Sequence, residues 1–349
     1  MLRSWMLAAA VAAALAAPAA QAWGPDGHRI TGALAAKLIK GTRAEREVAA
    51  LLKPGETLES IANWADCARG TLCGPQSEEM QAFVAAFPRH TSFHFSSLPF
   101  QHTHYADGGV GTHPDDIVQT LKRCVAVLQG QDGPFSKRQA LLLLVHLVGD
   151  LHQPFHVAAP YMSPDGQYVD PQREADIDSI KVFPTLGTNN FQIEEKLVTS
   201  LLGDNRAINE DADTPPPPPG RERLHRPFHS FWDGTVVKYA MKRSSSRSPD
   251  DYAQQLLAGQ GAVAPLGMAP AAAIVNWADA SIVAARQALQ GVQILRGERR
   301  TSRKGEVYYN WYVEVAADYP VTASTMAKTQ LNAAGQHLAA LLQGLWPNA

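Results

Sequence analysis

The sequence of 349 residues holds few cysteines, no excess charge of either sign and, past its start, no long apolar run. Three cysteines, Cys67, Cys73 and Cys124, are too few for a disulfide scaffold, and no paired-cysteine spacing suits a zinc site. Any metal would therefore be held by His and Asp. Cys67 and Cys73 could close a small loop in an oxidising compartment, a point the sequence leaves open; the apolar surroundings of Cys124 suggest a buried thiol. A formal net charge of −2 and a pI near 6.6 exclude a polycation that coats nucleic acid by bulk charge. With 45% hydrophobic and 18% charged residues, wholesale disorder is excluded as well. The nearest thing to a later membrane span, Ala262 to Val275, is short and broken by Pro265 and Pro270.

What is present begins with a targeting signal. Arg3 precedes an Ala/Leu/Val run, and Ala20-Gln21-Ala22 offers small residues for cleavage, so residues 1–22 read as a signal peptide. The mature chain then starts at Trp23, and its location is secreted or periplasmic. Apolar residues at three-and-four spacing predict helices over Ile30–Leu38, Glu45–Leu52, Lys137–Leu151, Ile193–Leu202, Ala271–Leu289 and Thr325–Leu345. Asp115–Leu128 reads the same way, with Pro114 at its start. One strand-like stretch, Val307–Val315, stands isolated. Phe100–His113 reads as a loop rich in Gly and His. Asp204–Arg223 contains Pro215 to Pro219, which cannot hold an α-helix, and reads as a Pro-rich surface insertion. The tetrapeptide Asn-Trp-Ala-Asp occurs at 63–66 and again at 276–279 without similar surroundings, so it is not a repeat.

The chemistry concentrates in His146-Leu-Val-Gly-Asp150-Leu-His152-Gln-Pro-Phe-His156. His146 and Asp150, four apart, leave one face of an otherwise apolar helix. Pro154 ends that helix and lets His156 turn back toward the face. A buried ionisable pair must be satisfied, and a metal ion does so directly; the bland alternative is a core histidine bonded to its own Asp. His152 points away from Asp150 and reads either as a support behind the metal ligands or as structural. His229 and Asp233 form a second pair four apart among aromatics. His94 sits in Phe93-His94-Phe95, and Asp66 follows Trp64-Ala65. Cleavage before Trp23 would expose an amine that, with its own carbonyl, can chelate a metal. His28 lies within reach of the turn that Gly24 and Gly27 allow.

Together these motifs resemble the zinc-dependent S1/P1 nuclease family: Trp-Gly-x-x-Gly-His at a processed start, Trp-Ala-Asp, Phe-His-Phe, His-x-x-x-Asp-x-His-Gln-Pro-x-His and His-x-x-Trp-Asp, in family order from Trp23 to Asp233. The last helix, Ala334-Gly-Gln-His337-Leu-Ala-Ala-Leu-Leu, is also similar to the family's closing helix. The resemblance implies an all-α fold, a single mainly helical domain over 23–349 with a trinuclear zinc cleft, related to bacterial zinc phospholipases C. It implies three Zn2+ ions. One would be held by Asp66, His94, His146 and Asp150. A second would be held by the amine and carbonyl of Trp23, by His28 and by the other oxygen of Asp150. The third would be held by His156, His229 and Asp233. Asp66 and Asp150 would be the catalytic carboxylates, and Asp279 would stand outside the set.

The expected activity is hydrolysis of single-stranded DNA and RNA to 5′-phosphorylated products, with 3′-nucleotidase activity alongside, by a monomer with no stable membrane association. Gly187-Thr188-Asn189 stands where the family has Gly-Gly-Asn, making Asn189 the substrate-contact candidate. Ser97 stands where relatives often have Asp or Asn. Two rivals remain open from the residues: a zinc phospholipase C, disfavoured because position 233 is Asp and not Glu, and a non-enzymatic exported zinc-binding protein.

Overall fold

The computed structural model describes residues 23–70, 73–178, 180–203, 222–259, 261–302 and 304–348. The expected signal peptide, 1–22, and all but the end of the Pro-rich insertion, 204–221, lie outside the described residues. Helices dominate, as the sequence predicts.

The helix Lys137–Leu151 runs through the middle of the core. Its start is fixed by a capping box, in which Ser136 Oγ accepts from Gln139 N and the Gln139 side chain accepts from Ser136 N. From Ala140 to Leu151 every residue is buried. An all-round apolar helix can exist in water only when covered on every side. The cover comes from Ile117–Leu128, Pro25–Leu38, the short Trp64–Cys67 and the long Tyr319–Leu345. Burying each of Leu141, Leu142, Leu143 and Leu144 is worth about 1.5–3 kcal/mol, so this helix is held firmly where its polar residues are needed.

Several sequence expectations shift: the helices expected from Ile30 and from Thr325 begin earlier, at Pro25 and Tyr319. Ile117–Leu128 starts after Pro114 and takes its cap from Asp116, whose carboxylate accepts from Gln119 N. The helix predicted over Ile193–Leu202 begins at Glu195, because Phe191–Glu194 is a strand. Val307–Val315 is a strand but is not isolated. It pairs antiparallel with Val292–Thr301 and parallel with Phe191–Glu194, which in turn pairs with His225–Pro227. The result is a four-stranded sheet beside the helices. Cys67 and Cys73 are joined, and Cys124 is a buried thiol.

Candidate metal centre

His146 and Asp150 leave the same face of Lys137–Leu151 with no exposed surface. Opposite them stands His28, from the first turn of Pro25–Leu38, a helix that Pro25 starts. The two helices approach closely because residue 149 is glycine: a Cβ there would lie 2.9 Å from His28 Nδ1. The His28 and His146 rings stack at 3.8 Å. Asp66, on the short helix Trp64–Cys67, and His94, ending the tight turn His90–His94, close the group.

The two oxygens of Asp150 face different neighbours. Oδ1 lies 3.1 Å from His28 Nε2, while Oδ2 lies 3.1 Å from His94 Nδ1 and 3.3 Å from His146 Nε2. Asp66 Oδ1 lies 3.5 Å from His146 Nε2 and 3.6 Å from His94 Nδ1, and its Oδ2 is 3.9 Å from His28 Nε2. Both His28 ring nitrogens and Asp150 Oδ1 are buried without a hydrogen bond, although His28 Nε2 and Asp150 Oδ1 lie 3.1 Å apart.

A second group lies beyond the helix end. His156 Nε2 is 3.0 Å from His229 Nε2, which is 3.3 Å from Asp233 Oδ2. A carbonyl can only accept, so the partners of the far ring nitrogens fix the tautomers. His156 Nδ1 donates to His94 O at 2.8 Å, and His229 Nδ1 donates to Gly187 O. In the neutral rings both Nε2 lone pairs then face each other and a carboxylate. His146 Nδ1 likewise donates to Ala62 O at 2.7 Å, leaving its Nε2 toward the acids. Lone pairs and carboxylates converging in a dry interior need a cation among them, and this outer hydrogen bonding is what metal-ligating histidines carry. Among the described residues three sets could hold a metal ion: His28, Asp66 and His146; His94, His146 and Asp150; and His156, His229 and Asp233.

Without metal the charges settle among themselves. Burial alone would lower His146, but Asp150 and Asp66 outweigh it and lift its pKa to about 10. Burial alone would raise both carboxyls, yet His146, with His94 and Arg69 for Asp66 and with His28 for Asp150, holds them below the usual range. Burial lowers His94 to about 4 and also lowers His28.

Two residues here carry roles the sequence reading missed. Arg69, one turn after Asp66, places Nη1 3.2 Å from Asp66 Oδ1, and its buried Nε has no hydrogen bond. Gln153 Nε2 donates to Asp233 Oδ1 at 2.6 Å, holding that carboxylate with its other oxygen toward His229. Nothing in local spacing marks either as more than a polar neighbour of a motif. Asp233 itself lies in a π-helical turn, Phe231–Val236, a local irregularity frequent at functional sites.

Trp23 is fully buried, and Gly24 N donates to Asp233 O at 2.9 Å, so the described chain begins against the second group. Asn189 is half-buried and its Nδ2 donates to Leu186 O at 2.7 Å. It follows three residues with positive φ, Leu186 (54°), Gly187 (63°) and Thr188 (69°). At Gly187 a Cβ would sit 2.9 Å from Phe155 O, so only glycine lets its carbonyl reach His229. Ser97 N donates to Gly111 O, pinning the Gly- and His-rich loop. His152 is structural: its Nδ1 donates to Val148 O and its Nε2 meets His337 Nδ1 at 2.7 Å. The loop histidines do not cluster, since His102 meets Asp170, His104 meets Asp279 and His113 meets Arg89.

Residues 23–166 match the S1/P1 nuclease family, a stretch that begins at Trp23 and includes His28, Asp66, His94, His146, Asp150 and His156. No curated protein matches the chain. The matched stretch marks the chain as a nuclease that hydrolyses phosphodiester bonds. No described helix is long and apolar enough to cross a membrane.

Proposed function

We propose that this S1/P1-type nuclease is an exported, monomeric enzyme that starts at Trp23, carries three zinc ions and cleaves single-stranded DNA and RNA to 5′-phosphorylated products. Removal of 3′-phosphates from nucleotides goes with the same site. The whole of 23–349 acts as one domain, with the Pro-rich segment as a surface insertion. The observation that carries this reading is the division of Asp150, one oxygen toward His28 and the other toward His94 and His146. A single carboxylate turned both ways is what a bridge between two cations requires.

The donor set fits zinc, which accepts neutral imidazole and carboxylate. Asp66, His94, His146 and Asp150 hold one ion, and His28, Asp150 and the amine and carbonyl of Trp23 a second. His156, His229 and Asp233 hold the third. Zinc bound there supplies positive charge against a phosphate and brings the pKa of water down to about 7. The protein's residues do the remaining work. Asp66 and Asp150, ionised throughout the neutral range, orient the attacking water by accepting its hydrogen. Arg69 offers a buried N–H to a phosphate oxygen, a donor whose value is greatest in a dry site. Gln153 and Gly187 fix Asp233 and His229 so that the leaving 3′-oxygen meets a preset wall. Asn189 contacts the substrate at the rim. The slightly acidic chain still attracts an anion, because the charge that matters lies within the cleft.

The direct test is an assay of purified, zinc-loaded protein beginning at Trp23 on single-stranded DNA, RNA and phosphatidylcholine side by side. Turnover of both nucleic acids, with 5′-phosphates on the products, is expected; turnover of the lipid alone overturns the reading.

A further inference from the structure

The four-stranded sheet carries a surface that, among the described residues, neither the fold nor the metal centre uses. One face of Val307–Val315 is committed inward: Trp311 and Val313 are buried, and the Tyr309 ring packs on Phe183 at 4.9 Å. The other face holds Tyr308, Asn310 and Tyr312, which pair across the ladder with Arg300, Glu298 and Arg296. A solvent-facing hairpin ordinarily alternates to small or charged residues there. This one alternates to tyrosine and arginine.

These side chains are already arranged. The Arg296 guanidinium lies over the Tyr312 ring at 3.6 Å from its centroid, and the His225 ring meets Tyr312 edge-on at 4.8 Å. Glu298 accepts from Tyr312 Oη at 2.8 Å and pairs with Arg300 at 3.0 Å and Arg296 at 3.6 Å. Arg296 and Arg300 remain about half exposed, so these ion pairs are weak and open to competition. Between residues 296 and 304 the described basic side chains are Arg296, Arg299, Arg300 and Lys304, all exposed, against the single acid Glu298. That local excess stands out in a chain whose formal net charge is −2.

The face is continuous with the metal centre. His225–Pro227 leads into His229, and Phe191–Glu194 begins two residues after Asn189. Gln192, whose Nε2 donates to Asn189 O at 3.0 Å, stands between Pro227 and Tyr312 in the sheet register. Crossing the sheet from His225–Pro227 to Arg296 covers three strand spacings, about 14 Å, within the span of a few nucleotides.

We propose that this outer face, with Arg296 stacked on Tyr312 and with Arg300, Tyr308 and His225 around it, docks the nucleotides that flank the cleaved bond of a single-stranded polynucleotide. The inference rests on the nuclease reading above. A guanidinium held flat on a ring offers its other plane to a base and its edge to a phosphate, the two contacts by which unpaired strands are gripped. Tyr312 is the positioning residue and Arg296 the contacting one.

The test measures binding apart from cleavage, with a fluorescent phosphorothioate oligonucleotide of about 20 nucleotides on the zinc-loaded protein. The double variant R296A/R300A should bind at least about fivefold more weakly, with a salt dependence shallower by about 0.7 for every phosphate no longer neutralised. Its KM for long single-stranded DNA should rise at least about fivefold more than its KM for a dinucleotide. Tyr312→Ala should weaken binding about tenfold, Tyr312→Phe should restore it, and R296K should fall between wild type and R296A. Binding by R296A/R300A equal to wild type, in an enzyme that cleaves both substrates, overturns the docking surface and leaves the nuclease reading intact. R296K binding like wild type overturns the stacked geometry. A wild-type enzyme that turns over neither substrate overturns the nuclease reading itself.

Discussion

The tetrapeptide Asn-Trp-Ala-Asp is written twice, and the two copies end in different chemistry. At 63–66 the Trp64 ring packs on Phe83, and Asp66 is buried among His28, His94, His146 and Arg69. At 276–279 the Trp277 ring stacks on His337, and Asp279 lies near the surface, accepting from Tyr105 N at 2.7 Å and pairing with His104. Both tryptophans are buried and both acids follow on a helix. What differs is what each acid faces. Asp66 looks onto the polar end of Lys137–Leu151 and Asp279 onto the loop at His104 and Tyr105, so the same four residues line a candidate metal centre in one place and anchor a loop in the other.

The comparison breaks if the two acids respond alike. Asp66→Asn should lower nuclease turnover by about a thousandfold, because an amide cannot replace a carboxylate among three histidines. Asp150→Asn should do the same and also cost about one zinc per chain, since it removes the shared ligand. Metal analysis beside the kinetics checks both, and wild-type activity with full zinc would refute the bridging role.

Next in size is the effect of the proposed processing before Trp23. A protein made with one extra Ala before Trp23 keeps every side chain but moves its free amine about 3.8 Å along the chain. Turnover should drop about tenfold or more, with the ion shared by His28 and Asp150 lost first. Mass spectrometry must confirm both start sites, and three retained zincs with unchanged activity would remove the amine from the ligand set.

A smaller effect sharpens the contrast through pH. In the metal-free chain His146 is lifted to about 10, so its stabilising proton is fully present below about 6.5 and is lost as pH rises through about 10. Asp66 and Asp150, held below the usual range, lose their stabilising effect as pH falls through the acid range. Melting temperatures of chelator-treated protein should therefore decline above neutrality, and zinc uptake near pH 7–8 should release protons, seen as buffer-dependent heats in calorimetry. In the loaded enzyme activity should fall on mild acidification, as histidine ligands take protons. Melting that rises steadily to pH 10 would contradict the His146 assignment.

The smallest expected change is at the second copy. Asp279→Asn should leave turnover within a few-fold of wild type and cost about 1 kcal/mol, a fall in Tm of about 2 °C. A loss as deep as that of Asp66→Asn would erase the distinction between the two copies.

Sequence reading recovered what depends on local period. His146 and Asp150 were legible because a helix repeats every 3.6 residues and the rest of that helix is apolar. It placed Lys137–Leu151, and the last helix from Thr325 to Leu345, for the same reason, though that helix begins six residues earlier, at Tyr319. Val292–Thr301 escaped it because its Arg-rich half is turned to solvent and shows no apolar alternation, while its partner strand supplies the inner cover. Arg69 and Gln153 escaped it because their roles arise from which carboxylate they meet in space. His152 could be set aside by its direction on the helix, but its partner His337, some 185 residues away, could not be named.

The hydrogen bond from Gly24 N to Asp233 O joins the beginning of the described chain to a residue far along it. Such a contact closes a very long loop, so it forms late in folding. A chain emerging from synthesis or export in N-to-C order presents His28, Asp66, His94, His146 and Asp150 well before His229 and Asp233 exist to finish the wall beside them. If those residues are the ligands proposed above, their order along the chain is also a timetable: the centre can be complete only when the strand before His229 has come through.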